Sequence, residues 1–125
     1  MTAATHRPHR TATESAHALA DAVPHLVWVA GPGGGVEYLN RACREYLGWP
    51  MDDVPGADWR RGVHPDDLPR TDALWGAAVR AGAEFEAEYR LRRADGEYRW
   101  HLGRARPQRA AGGGVARWFG TCTDV

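Results

Sequence analysis

The sequence contains no lysine. Its 16 basic residues are all arginine and are balanced by 16 acidic residues, so the formal charge is zero. A neutral chain lacks the general attraction that drives non-specific nucleic-acid binding, and nucleic acid is not an expected partner. The missing lysine, beside abundant Ala and Gly, is read as codon bias rather than chemistry. Only two cysteines are present, Cys43 and Cys122. That is too few for a disulfide framework, and both are expected as small buried thiols in a reducing compartment. No apolar run approaches the roughly 20 residues needed to cross a bilayer. The charged start, Met1 to Arg10, is followed by no apolar core of a signal peptide. The expected location is the cytoplasm. What is present is 43% hydrophobic residues and six tryptophans in 125 residues, enough for one domain with a modest core.

The most informative stretch is Phe85 to Trp100. Phe85, Ala87, Tyr89 and Leu91 alternate with Glu86, Glu88, Arg90 and Arg92, the period-two pattern of a strand with one apolar face. Asp95-Gly96 follows as a hairpin signal, since glycine takes positive φ without steric cost. A second strand is expected over Glu97 to Pro107, alternating through Tyr98, Trp100 and Leu102. A third runs from Val115 to Val125. Three strands with short links make an antiparallel meander, which the upstream elements must cover.

Upstream, residues 1–10 show no periodicity and read as a disordered tail, with His6 and His9 solvated. Thr11 and Glu14 form a capping-box pattern for a helix over residues 11–23. Ala12, Ala16, Leu19, Ala20 and Val23 fall on one face of it. After Pro24 comes a short strand, His25 to Ala30, and a Gly-rich turn, Gly31 to Gly35. That turn lacks both the GK[ST] and the following helix of a phosphate loop. Val36 to Leu39 is the next strand, and Asn40 caps a helix over Arg41 to Leu47 that stops at Gly48. Trp49 to Val63 is broken by Pro50, Pro55 and Gly56, with Trp59 and Val63 expected to point inward. His64-Pro65-Asp66-Asp67 is read as the start of a long helix, with Pro65 in its first turn and both carboxylates favouring its N-terminal dipole. Leu68, Leu74, Trp75, Ala78 and Val79 form its buried stripe, and Gly82 ends it.

The order HPDD (His64 to Asp67), helix, EYRLRRADGEYRW (Glu88 to Trp100), and a last strand ending GTCTDV (Gly120 to Val125) resembles a PAS domain with its C-terminal PAC motif. Trp28, the glycine turn, Glu37-Tyr-Leu-Asn40 and Tyr46-Leu47-Gly48 fit the same family. The resemblance covers residues 24–125. It implies an α+β fold: a five-stranded antiparallel sheet with short helices and one long helix on one face, plus an N-terminal helix. It also implies a sensory module that binds a small molecule or partner protein and relays the change to an effector outside this chain, such as a histidine kinase or cyclase. A ligand-free dimerisation domain is the alternative. No catalytic domain is recognised, and the domain is not expected to be an enzyme.

Site residues follow from these two readings. A ligand pocket between long helix and sheet would be lined by Trp59, Trp75, Val79, Tyr89, Leu91, Trp100 and Phe119. The aromatics are more simply read as filling a packed core, because no ring of small residues is evident to make room. A homodimer would use Ala12, Ala16, Leu19, Ala20 and Val23, with Trp118. The last strand looks apolar on both faces, so its outer side is expected to be covered by the first helix or a partner chain. Haem is not favoured, because the long helix carries no histidine and His101 is expected to face away from whatever Trp100 packs on. Flavin-adduct photochemistry is not favoured either, because Cys43 lies on the earlier helix; non-covalent flavin stays open. No metal site is expected. His64, Asp66 and Asp67 read as a helix start rather than an acid/base cluster. The arginines at positions 90, 92, 93, 99, 104, 106 and 109 read as cross-strand partners of Glu86, Glu88 and Glu97.

Overall fold

The computed structural model describes residues 12–49 and 59–125. In chain order the elements are α1 (Ala12–Ala22), β1 (Leu26–Ala30), β2 (Val36–Leu39), α2 (Arg41–Leu47), a 3-10 turn (Trp59–Gly62), α3 (Leu68–Ala81), β3 (Phe85–Arg92), β4 (Tyr98–Arg109) and β5 (Val115–Asp124). The strands form one sheet in the order β2-β1-β5-β4-β3, every pairing antiparallel. This is the expected five-stranded α+β architecture. The expected tail at residues 1–10 lies outside the described residues, as does the Pro/Gly-broken stretch over 50–58.

Turn chemistry sets the strand boundaries. Gly34, Gly96 and Gly113 all take positive φ in the hairpin turns, at 92°, 88° and 95°. Asn40 caps α2 with its side-chain oxygen on the Cys43 N–H, and Gly48 closes that helix in the left-handed region. The long helix begins later than its HPDD prefix suggests. His64 to Asp67 form a turn, Asp67 is the N-cap residue without a side-chain capping bond, and Pro69 occupies the first helical turn. The Asp67 carboxylate turns away to Arg90 on β3. It accepts from the Arg90 backbone N–H, Nε and Nη2, each at 2.9 Å. A buried acidic side chain therefore locks helix start to strand as a forked, charge-assisted pair.

The inner face of the sheet follows the register. Phe85, Ala87, Tyr89 and Leu91 on β3 oppose Ala105, Gly103, His101 and Arg99 on β4. His101, Gly103 and Ala105 are buried, while Trp100 is 44% exposed. The expected phase of β4 through Tyr98, Trp100 and Leu102 is therefore one residue off. In a strand such a slip moves every side chain to the other face. Trp100 instead lies outside, with the Arg90 guanidinium 4.9 Å from its ring centroid. His101 is fully buried inside. On β5 the buried residues are Trp118, Gly120 and Cys122, and Phe119 is exposed. On α3 the buried residues are Thr71, Trp75 and Ala78, whereas Leu74 faces out.

Trp75 is the centre of the core. Its ring meets Trp28, Phe85 and Trp118 edge-on at 5.3, 5.2 and 5.1 Å, the offset geometry that aromatic quadrupoles favour. Its Nε1 donates to the Gly34 carbonyl at 3.1 Å, which fastens α3 to the β1–β2 turn. The end of α1 is fixed by Asn40, whose Nδ2 donates to the carbonyls of Ala20, Val23 and His25. His17 stacks on Tyr38 at 3.7 Å. The helix thus docks at the β2 side of the sheet and leaves Phe119 and Trp100 uncovered among the described residues.

Candidate functional site

Between the inner face of the sheet and the helices lies an apolar cavity of about 60 Å3. The sheet contributes Trp28, Leu39, Phe85, Tyr89, Leu91 and Cys122; the helical side contributes Cys43, Leu47, Trp49, Trp59, Thr71 and Trp75. The cavity exists because small residues share the inner face with large ones. A methyl on Gly103 would lie 2.6 Å from Cε1 of Tyr89, and one on Gly120 would lie 2.6 Å from Cδ2 of Trp28. The Tyr89 and Trp28 rings thus lean directly over glycine backbone. Gly103, Ala105, Gly120 and Cys122 are the small residues that make room. The slipped phase of β4 hid Gly103 and Ala105 in the sequence, and taking Phe119 rather than Trp118 as inward hid Gly120 and Cys122.

The polar groups in the wall are mostly satisfied. Thr71 donates from Oγ1 to the Asp67 carbonyl at 2.8 Å, and the Trp75 indole is held by Gly34. Tyr89 Oη and Cys122 Sγ lie 3.4 Å apart in hydrogen-bond contact. Burial pushes the Cys43 thiol up, and Cys122 nearby adds to this. Burial likewise raises the Cys122 thiol, against hydrogen bonds from Tyr89 and Trp28. The Tyr89 phenol goes well up for the same reason, reinforced by Cys122. All three groups are neutral at pH 7, so the described residues of the wall present no charge. Such thiols are poor nucleophiles, because the thiolate is the reactive form.

Of the expected pocket residues, Trp59, Trp75, Tyr89 and Leu91 line this cavity. Val79 lies beneath the glycine turn, in a separate open groove of about 510 Å3 with Gly34 and Arg80. Trp100 and Phe119 project from the opposite face, 44% and 38% exposed, and are not cavity residues. Trp28, Trp49 and Cys43 also line it, although the sequence reading did not place them in the pocket. Of the expected dimer residues, Leu19 and Val23 are exposed, Ala20 is buried, and Trp118 is fully buried in the core rather than on a surface. The side chains of Ala12 and Ala16 lie outside the described residues.

The acid/base cluster does not assemble. Asp67 is bound to Arg90, whose hydrogen bonds hold its carboxyl down to about 2; His64 Nδ1 accepts from the Asp66 N–H at 3.1 Å. Among the described residues no three His, Cys, Asp or Glu side chains could hold a metal ion. The described wall does not suit flavin or haem. It holds no Asn, Gln or Arg for a flavin ring or phosphate and no His for haem iron, and the cavity volume is far below either group. His101 is buried but outside the wall. Its Nδ1 lies 2.8 Å from the Arg99 carbonyl, and its Nε2 has no partner.

A five-stranded antiparallel sheet with helices on one face is the architecture that the resemblance to a PAS domain implies. The chain belongs to the PAS fold family, whose family model matches residues 36–122. It is 39% identical over 106 residues to the peroxide stress-activated histidine kinase mak1 of Schizosaccharomyces pombe, covering 84% of this chain and 6% of that protein. It is 32% identical over 116 residues to the uncharacterized protein y4lL of Sinorhizobium fredii, covering 93% of this chain and 14% of that protein. The chain therefore spans a small fraction of the curated relatives it matches. Among solved structures, the N-terminal domain of a diguanylate cyclase with PAS/PAC sensor from Marinobacter aquaeolei superposes with a TM-score of 0.69 at 26% identity, covering 79% of this chain and 93% of that one. An RNA-binding light-oxygen-voltage receptor shares the fold at a TM-score of 0.77 and 21% identity, covering 95% of this chain and 36% of that one. Among the described residues no helix is long and apolar enough to cross a membrane.

Proposed function

We propose that this domain is a cytoplasmic sensory module that takes a small molecule into the cavity around Tyr89 and Trp75 and relays its presence to an effector of the histidine kinase or cyclase type. The observation that carries the reading is the cavity itself, an opening inside a core that could have been filled. The kinase and cyclase relatives support the choice of effector. Two free buried thiols agree with a reducing compartment. A second copy of the chain is the expected partner, through Leu19 and Val23 of α1 and the exposed Phe119 on the outer face.

The test is a thermal-shift panel of small probes, charged, polar and apolar, beside sedimentation at several protein concentrations. The sensory reading expects at least one probe to raise the melting temperature saturably. The alternative, a ligand-free dimerisation domain, expects no such probe and a concentration-dependent dimer. It draws on the same exposed Leu19, Val23 and Phe119. Replacing Leu19 with Arg should shift a dimer to monomer, and a wild-type monomer at every concentration would sink the dimer.

A further inference from the structure

We infer that the cavity takes a small, neutral, apolar molecule of no more than about five non-hydrogen atoms. This rests on the sensory reading and goes further by naming the class of ligand.

Size is the first argument. Ligand pockets for drug-sized molecules commonly enclose roughly 300–1,000 Å3, and an engineered cavity of about 150 Å3 takes benzene. Here the volume is about 60 Å3. Glycine backbone fixes Tyr89 and Trp28 where they stand, so the wall does not recede easily on that side.

Polarity is the second argument. No ionisable carboxylate, guanidinium or imidazole is on the described wall. The hydroxyls of Thr71 and Tyr89 and the indole of Trp75 already have partners. A carboxylate or phosphate entering here would shed its hydration and meet no charge on the described wall that replaces it. That penalty is several kcal/mol for a polar group and far more for an ion. An alkene or a rare-gas atom has no such loss and gains dispersion contact with the rings. The cavity therefore selects by exclusion, and nucleotides, flavins, haem and amino acids fall on the excluded side.

The experiment uses the intact chain with xenon, followed by 129Xe chemical shift, and with the near-isosteric pair isobutene and acetate, followed by melting temperature. Each of the pair has four non-hydrogen atoms in a branched plane, so they differ chiefly in charge. The expected result is a saturable xenon shift and a rise of about 4–8 °C with isobutene at tenfold excess over its dissociation constant. Acetate should do nothing beyond its salt effect. Val36→Phe, at a partly buried wall position, should abolish the xenon shift. Val63→Leu, a gentler filling, should weaken it if the first variant does not fold. A saturable acetate, flavin mononucleotide or haemin response without xenon or isobutene binding would overturn this inference and leave the sensory reading standing. No response to any probe of any class would overturn both. An undiminished xenon shift in a folded filling variant would show that the site lies elsewhere.

Discussion

Replacing Gly103 with alanine tests the architecture of the cavity at a single atom. A glycine in a strand is ordinarily a weak point. Where φ allows, alanine there should stabilise by about 0.4–1 kcal/mol through the unfolded chain. Gly103 has no positive φ to forbid the change. The opposing term is steric. The new methyl would sit 2.6 Å from Cε1 and 2.7 Å from Cζ of Tyr89, and closer still to Oη. Van der Waals contact between carbons needs about 3.5–4.0 Å. The ring must therefore retreat by on the order of 1 Å into the cavity, against the same contact distance. That movement also strains its 3.4 Å contact with Cys122. Overpacking of this kind costs about 1–3 kcal/mol, which exceeds the intrinsic gain. At the middle of both ranges the net loss is about 1.3 kcal/mol, so the expected outcome is a fall in melting temperature of about 4–8 °C for a domain this size, together with weaker xenon binding. Tyr89→Phe removes the closest atom, so the alanine penalty should shrink in that background. A Gly103→Ala protein as stable as the wild type, or more so, would refute the placement of the ring and the origin of the cavity with it.

Three further outcomes follow from buried polar groups. The Asp67 carboxyl, lowered from 3.8 to about 2 by Arg90, contributes stability that is complete above pH 4 and is lost as pH falls toward 2. The loss is about 2 kcal/mol, read from urea midpoints, and Asp67→Asn should remove it together with the stability. His101 runs in a different window: burial lowers its affinity for a proton below the ordinary value of 6.5, against the pull of the Arg99 carbonyl and Asp124. The unfolded chain then binds the extra proton, so stability should fall below pH 6.5 by up to about 1.4 kcal/mol per pH unit until the folded imidazole itself titrates. His101→Leu should flatten that slope. Asn40→Asp keeps the acceptor for Cys43 and Val27 but turns a carboxylate toward the carbonyls of Ala20, Val23 and His25. It should cost about 3 kcal/mol at neutral pH, measured by denaturation, and recover partly in acid as the carboxyl regains a donor.

Element type was legible where periodicity or turn chemistry was strong. The alternation of Phe85 to Leu91, the Asp95-Gly96 turn, the Asn40 cap and the Gly48 and Gly82 stops all stand where the residues put them. The phase of β4 was not legible. Tyr98, Trp100 and Leu102 are the larger side chains, yet the register with β3 sends His101, Gly103 and Ala105 inside. Size misleads there because the inner face must stay thin where Tyr89 crosses it. That one slip placed Trp100 in the pocket and concealed Gly103 and Ala105. Similarly, Phe119 and Trp118 exchange roles because pairing with β1 and β4, rather than apolarity, decides which faces in. The start of α3 was misjudged because a carboxylate that could serve a helix dipole is claimed by a guanidinium from another element.

The Asn40 side chain makes amide protons on two separate elements share one fate. Its single carbonyl oxygen accepts from the Val27 N–H at 3.1 Å and the Cys43 N–H at 3.0 Å. Its amino group holds the end of α1. Solvent cannot reach either proton while the amide stays seated, and a rotation that frees one frees the other. Val27 and Cys43 should therefore exchange with deuterium at the same opening free energy, although one lies in a strand and the other begins a helix. That shared opening also releases the carbonyls of Ala20 and Val23. The rate at which two backbone protons are lost is thus a clock for how often the entering helix lets go of the domain.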